Sequence, residues 1–175
     1  MIEIREVQTL TTTELSHLSD ILIGVVNDGA SVGWLAAPSL DEARSYWEST
    51  VRPGNILLLA RDGEQVVGTA QLELAQRLNG NHRAEVNKVL VHPGHQGKGI
   101  GRLLMSEIEA TARRLDRTLL HLDTNEDDTT NEFYLWLGWS VAGTIPDWAR
   151  SGPDNAFHGT TFYYKLLGEG LGTRD

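Results

Sequence analysis

The stretch Val89-Leu-Val-His-Pro-Gly-His-Gln-Gly-Lys-Gly-Ile-Gly-Arg-Leu-Leu-Met105 decides the fold. Its first residues are β-branched or apolar and read as the end of a strand, which Pro93 stops because it has no N–H to donate to a ladder. Gly94, Gly97, Gly99 and Gly101 follow, so the backbone can take positive φ and lie close to a ligand. From Ile100 the spacing turns helical. Ile100, Leu104, Ile108, Thr111 and Leu115 form one largely apolar stripe, which Leu103 and Ala112 widen. Strand, glycine loop and helix start together leave amide N–H groups unpaired at a positive dipole end, which suits a phosphate or pyrophosphate.

Two common phosphate loops do not fit. A P-loop needs a glycine five residues before its Gly-Lys pair and then Ser or Thr, but His92 and Gly99 stand at those places. A dinucleotide fingerprint needs Gly-x-Gly-x-x-Gly, and Gly97-x-Gly99 runs on to Arg102.

Outward from this stretch, the 175 residues fit one domain, with residues 1–168 folded and 169–175 a frayed tail. A hydrophobic content of 40% is enough for a sizeable core. The net charge of −9, from 15 Lys and Arg against 24 Asp and Glu, argues against a nucleic-acid surface and favours small or cationic partners. With no cysteine, disulfides, thiolate metal sites and a cysteine acyl-enzyme are excluded. Met1 to Glu6 has neither the basic region nor the apolar core of a signal peptide, and no apolar run has membrane-spanning length. The expectation is a cytoplasmic protein without a membrane partner.

Ile2 to Val7 alternates apolar and polar residues, as a half-buried strand does. Thr11 and Glu14 form a capping box for a helix that ends near Asp28-Gly29. A second helix runs from Leu40 to about Val51, before Arg52-Pro53-Gly54. Ile56 to Ala60 is a continuous apolar run, hence a strand buried on both faces. Turns at Asp62-Gly63 and Asn79-Gly80 join it to strands over Val66–Leu78 and Arg83–Val91. Leu119 to Asp123 follows the long helix and so lies parallel to the strand before the glycine loop. Asp128 or Thr129 caps a helix from Thr130 to Leu137. A last strand pair, near Val141–Ile145 and Thr160–Leu166, straddles a loop containing Trp148 and His158.

Gln96-Gly-Lys-Gly-Ile-Gly101, after a strand ending Val-His-Pro, resembles the acyl-CoA pyrophosphate loop of the GNAT family of N-acetyltransferases. The order β-α-α-β-β-β-α-β-α-β-β is similar to that family's α/β (α+β) fold. Gly29 to Gly33, Leu78-Asn-Gly80, Arg83-Ala-Glu-Val86 and Leu119 to Thr124 extend the likeness to its tabtoxin-resistance branch over nearly the whole chain. The resemblance implies a mixed, mostly antiparallel sheet with a parallel pair splayed at an acetyl-CoA site, and helices on both faces. It implies acetyl-CoA as co-substrate, held by Val89, Leu90 and Val91 and by Gln96, Gly97, Lys98, Gly99, Ile100, Gly101 and Arg102. Many relatives place an asparagine against pantetheine after the second parallel strand; here Asn125 and Asn131 are both displaced from that position, and Asn131 is the one carried forward.

Acetyl transfer to an amine needs a neutral amine, a polarised thioester carbonyl, an oxyanion donor and a proton for the departing thiolate. Strict alternation puts Glu85, Asn87, Val89 and Val91 on one strand face. A glutamate at a strand start is most often a surface carboxylate, but the resemblance implies that Glu85 is a base. Asp123 is a second carboxylate or a turn cap, at a strand C-terminus where ligands collect. Phe133 and Leu137 form the core face of the last helix, which leaves Tyr134 as an acid toward sulfur or as a half-buried aromatic. Lys98 and Arg102 either meet phosphate or form a solvated face. Trp34 and Trp148 are acceptor-pocket walls or core plugs. No metal-ligating pattern is present. The expected reaction is direct transfer from acetyl-CoA to a small primary amine, with an amino-acid-like β-lactam toxin implied by the resemblance. A protein or peptide N-acetyltransferase and a non-catalytic acyl-CoA-binding module are the alternatives, and monomer and homodimer are equally compatible with the sequence.

Overall fold

A computed structural model describes residues 1–30, 32–151 and 155–168; the expected tail, 169–175, lies outside the described residues. The chain runs β1 (Ile2–Val7), α1 (Thr12–Asn27), α2 (Leu40–Thr50), β2 (Asn55–Asp62), β3 (Gln65–Leu74), β4 (Arg83–Val91), a single 3₁₀ turn at Pro93–His95, α3 (Ile100–Arg114), β5 (Leu119–Asn125), α4 (Thr130–Trp136), β6 (Ser140–Ser151) and β7 (Ala156–Leu166). One sheet of seven strands, in the order β1-β2-β3-β4-β5-β7-β6, carries the helices on both faces. Neighbouring strands are antiparallel except β4 and β5, which are parallel, as a helical crossover between them requires.

Capping explains where the first two helices begin. The Thr11 hydroxyl accepts from Glu14 N–H at 3.2 Å while Glu14 Oε2 accepts from Thr11 N–H at 2.7 Å. Ser39 and Glu42 repeat the device at α2, a box that the sequence reading passed over. Side chains of α1 and α2 (Leu18, Leu22, Ala43, Trp47) pack with Leu57 and Leu59 of β2 on one sheet face. Those of α3 (Ile100, Leu104, Met105, Ile108) pack with Leu58 and Ala60 of the same strand on the other. Thus β2 is buried on both faces, as its unbroken apolar run predicts. Each such large side chain contributes about 1.5–3 kcal/mol by burial.

Three expectations are corrected. Leu103 and Leu115 lie outside the buried stripe of α3, at 38% and 36% exposure, and Met105 takes the place within it. Trp148 and His158 belong to β6 and β7, not to a loop. Pro146 breaks the ladder, but a register shift between Ile145 and Ala149 absorbs it, and pairing resumes at Ala149↔His158. Strict alternation along β4 also fails. A register shift opposite Thr69–Gln71 of β3, with Lys88 at φ 50°, inserts one extra residue. Val89 and Val91 therefore pack with Ala84 and Val86 on the α3 face, whereas Leu90 faces α1 and α2. Glu85 and Val89 do not share a face.

Gly68 of β3 is required by close approach. A Cβ there would stand 3.0 Å from Leu90 O and 3.1 Å from Ile100 Cγ2, so its absence lets the start of α3 sit against the sheet.

Candidate active site

The parallel pairing of β4 and β5 stops at Glu85↔His121. Beyond that point the strands diverge, and a cavity of about 1250 Å³ fills the gap. This is larger than a single small-molecule pocket of roughly 300–1,000 Å³ and has room for two substrates. Residues of β4, the glycine loop, β5, α4, the segment after α1, and β6 and β7 all line it.

At one end lies the loop. Gly97 and Gly99 have φ 73° and 78°, and Gly99, in the left-handed region, opens α3. The first backbone bond of α3 runs from Leu103 N–H to Gly99 O at 3.2 Å. Among the described residues, the N–H groups from Gly97 to Arg102 therefore find no acceptor. Gln96, Gly97, Gly99, Ile100, Gly101 and Arg102 line the cavity. These free amides at a helix start, with the Arg102 guanidinium, fit a pyrophosphate. Lys98 does not join them: its Nζ donates to Gly94 O at 3.3 Å and it is absent from the lining.

In the middle, His92 N–H bonds Val67 O of β3 at 2.9 Å. Backbone alternation then turns Leu90 N–H toward β3 and points the N–H groups of Val89 and Val91 into the gap. All three residues line the cavity.

At the far end Asp123, on β5, opens onto the cavity with its side chain exposed, and the surrounding protein desolvates the carboxyl only in part. That desolvation raises its carboxyl pKa, and the charges of Lys88 and His121 oppose the rise. Glu85 is not among the lining residues, since it occupies the last closed pair below the opening. Tyr134 is the buried residue of α4, at 8% exposure, ringed by Phe133, Trp139 and Tyr163. It lies in the core more fully than the expected Phe133–Leu137 face allowed, yet it also borders the cavity. Burial pushes its phenol pKa well up, with the charges of Asp128 and Asp123 adding to the rise, so it stays protonated.

Asn131 does not line the cavity. Its amide reaches the carbonyls of Asn125, Glu126 and Asp128 at 2.9, 3.1 and 2.6 Å, and its Oδ1 accepts from the Tyr163 hydroxyl at 2.7 Å. A group so occupied builds the β5–α4 turn, with both amide hydrogens spent on backbone carbonyls, and stands outside the cavity wall. Asp128 rather than Thr129 caps α4, accepting from Thr130 N–H at 2.8 Å.

Trp34 lines the acceptor end, edge-on to Tyr46 with ring centroids 4.9 Å apart, and so serves as both wall and packing residue. Trp148, 53% exposed, stands edge-on to Phe162 at the other wall. Sequence reasoning missed Lys88, Asn87, Arg150 and His158, which also line the cavity. A lysine inside the apolar run of β4 was the visible signal for the first. Among the described residues no group of side chains has the makings of a metal site, and no helix is long and apolar enough to cross a membrane.

The chain is 26% identical over 107 residues to an L-methionine sulfoximine/L-methionine sulfone acetyltransferase of Salmonella typhimurium, covering 61% of this chain and 63% of that one. Against an L-amino acid N-acyltransferase of Escherichia coli it is 25% identical, over 61% of this chain and 62% of the relative. The matched region thus spans under two thirds of either relative's length. A phosphinothricin acetyltransferase from Sinorhizobium meliloti, solved in complex with acetyl-CoA, superposes with a TM-score of 0.79 at 20% identity, over 99% of this chain and 92% of that one, and so shares the fold. The model of the Acetyltransferase (GNAT) family matches residues 19–139. The chain belongs to the GNAT family of acetyltransferases.

Proposed function

We propose that the protein is an acetyl-CoA-dependent N-acetyltransferase whose acceptor is a small, amino-acid-like primary amine. The observation that carries this is the continuity of one cavity, from the free amides of the glycine loop, past the gap between β4 and β5, to Asp123. Bound acetyl-CoA supplies a thioester whose acetyl group moves to the amine nitrogen. The loop amides and Arg102 hold its pyrophosphate, and the N–H groups of Val89 and Val91 stabilise the negative charge that grows on the carbonyl oxygen. Asp123 takes the proton from the acceptor ammonium, its raised pKa bringing it closer to the working pH of a base. Tyr134, kept protonated by burial, gives a proton to the departing sulfur. Glu85 acts from below the cavity floor, through the charge it places near Lys88. The two curated relatives, whose names specify amino-acid acceptors, favour an acceptor of that kind, and a toxin amino acid is one such compound.

Three measurements test this. Coenzyme A raises the melting temperature, while ATP and NAD do not do so comparably. Initial-velocity patterns intersect when both substrates are varied, because no acetyl-enzyme forms. In a panel of amino acids, toxin analogues, polyamines, aminoglycosides and peptides, small α-amino compounds give the highest kcat/KM. Parallel velocity lines with a trapped acetylated residue overturn the direct mechanism, and preferred acetylation of peptides or protein lysines overturns the acceptor.

A further inference from the structure

Lys88 occupies the extra residue of the β4 bulge, with φ 50°. Positive φ is uncommon for a residue with a side chain, and a bulge of this kind re-aims the side chain it carries. Here the re-aimed chain crosses from the sheet into the acceptor end of the cavity. Its Nζ stands 5.9 Å from the Trp34 ring centroid and 6.0 Å from that of Tyr46, and 3.9 Å from where a Cβ on Gly33 would lie. Two aromatic faces hold a cation without neutralising it. Among the described residues no carboxylate comes within ion-pair distance of Nζ, and no acceptor takes a hydrogen bond from it. Yet the charge of Lys88 bears on Asp123, and those of Asp123 and Glu85 bear on Lys88. The acceptor end therefore presents an unpaired ammonium and an unpaired carboxylate to the same space.

We propose that Lys88 binds the carboxylate of the acceptor, which makes the acceptor a zwitterionic α-amino acid or a close analogue of one. A zwitterion matches both charges at once: its ammonium lies toward Asp123, where the proton is removed, and its carboxylate toward Lys88. A polyamine or aminoglycoside satisfies Asp123 alone and brings a second positive charge toward Lys88. Desolvation lowers the Lys88 pKa in the free protein, so an incoming carboxylate also restores a partner to a half-buried charge. The same lysine borders a smaller cavity of about 260 Å³, with Tyr46, Arg52, Gln71, Glu73 and Asn87, which offers polar room for the acceptor's side chain.

This inference rests on the acetyltransferase reading above, and its test separates the two. Wild-type protein is assayed with acetyl-CoA on one amino acid from the panel, on its carboxamide and on the corresponding decarboxylated amine. A preference for the carboxylate of about 10- to 100-fold in kcat/KM is expected, the usual worth of a hydrogen bond to a charged group. In Lys88→Met and Lys88→Gln that preference collapses toward one, chiefly through a raised KM for the amino acid, and Lys88→Arg restores part of it. Equal use of acid and carboxamide by the wild type overturns the proposal without any variant. So does an undiminished preference in either variant. In both of those outcomes amines are still acetylated, so the acetyltransferase reading stands, whereas failure to acetylate any amine is the failure of that reading.

Discussion

The two ends of the cavity are built by opposite means. The cofactor end is backbone: free amides at the start of α3, presented by glycines whose positive φ no other residue adopts cheaply. The acceptor end is side chains drawn from the bulge in β4, the end of β5 and the segment after α1, namely Lys88, Asp123 and Trp34. A site made of amides depends on a short contiguous motif and tolerates change around it. A site made of convergent side chains depends on where three distant segments meet.

The largest effect expected from breaking this contrast is at Asp123. Asp123→Asn lowers kcat by about 10²–10⁴-fold, the usual worth of a general base, while the CoA-induced rise in melting temperature persists. Glu85→Gln, below the cavity floor, costs less than Asp123→Asn in the same assay. Equal losses return Glu85 to the role of base. Activity of the wild type falls as pH drops and Asp123 gains its proton, and because partial desolvation outweighs the charges of Lys88 and His121 and raises the pKa of Asp123, this acid limb lies above that of a free aspartate. Loss of that limb in Asp123→Asn, seen in kcat/KM against pH, identifies its origin.

At the other end, Gly99→Val forces a β-branched residue to φ 78°. Such strain costs about 1–3 kcal/mol, or roughly 5- to 150-fold in CoA affinity when it falls on the binding conformation. The added Cβ meets nothing within 4 Å, so the overall fold survives, and circular dichroism together with calorimetric CoA binding reads the two separately.

The smallest effect lies away from both ends. Glu14 is buried, and burial alone raises its pKa. Hydrogen bonds from Thr11 and the Arg61 guanidinium outweigh that and leave it lowered. A carboxyl whose folded pKa lies below its unfolded value contributes fully above the unfolded value, and the contribution fades as pH falls through the folded one. Thr11→Ala therefore loses about 1 kcal/mol at neutral pH and less in acid, by chemical denaturation, with CoA affinity unchanged.

The glycine loop, the capping box at Thr11, the buried run of β2, the bounds of β4 and the order of elements were all legible in the chain, because each depends on neighbours within a few residues. So was the carboxylate of Asp123 as a candidate, although β5 runs on past it to Asn125. What only the tertiary structure decided begins at Lys88. One extra residue in β4 reverses the alternation, separates Glu85 from Val89 and sends a lysine into the acceptor end, and a bulge is a property of two strands in register rather than of one. The splay of β4 from β5, the occupation of Asn131 in its own turn, and the pairing of Ala149 with His158 beyond a Pro-bearing bulge are likewise set between segments. Local sequence writes the backbone site; the side-chain site exists only once the sheet has closed around the gap.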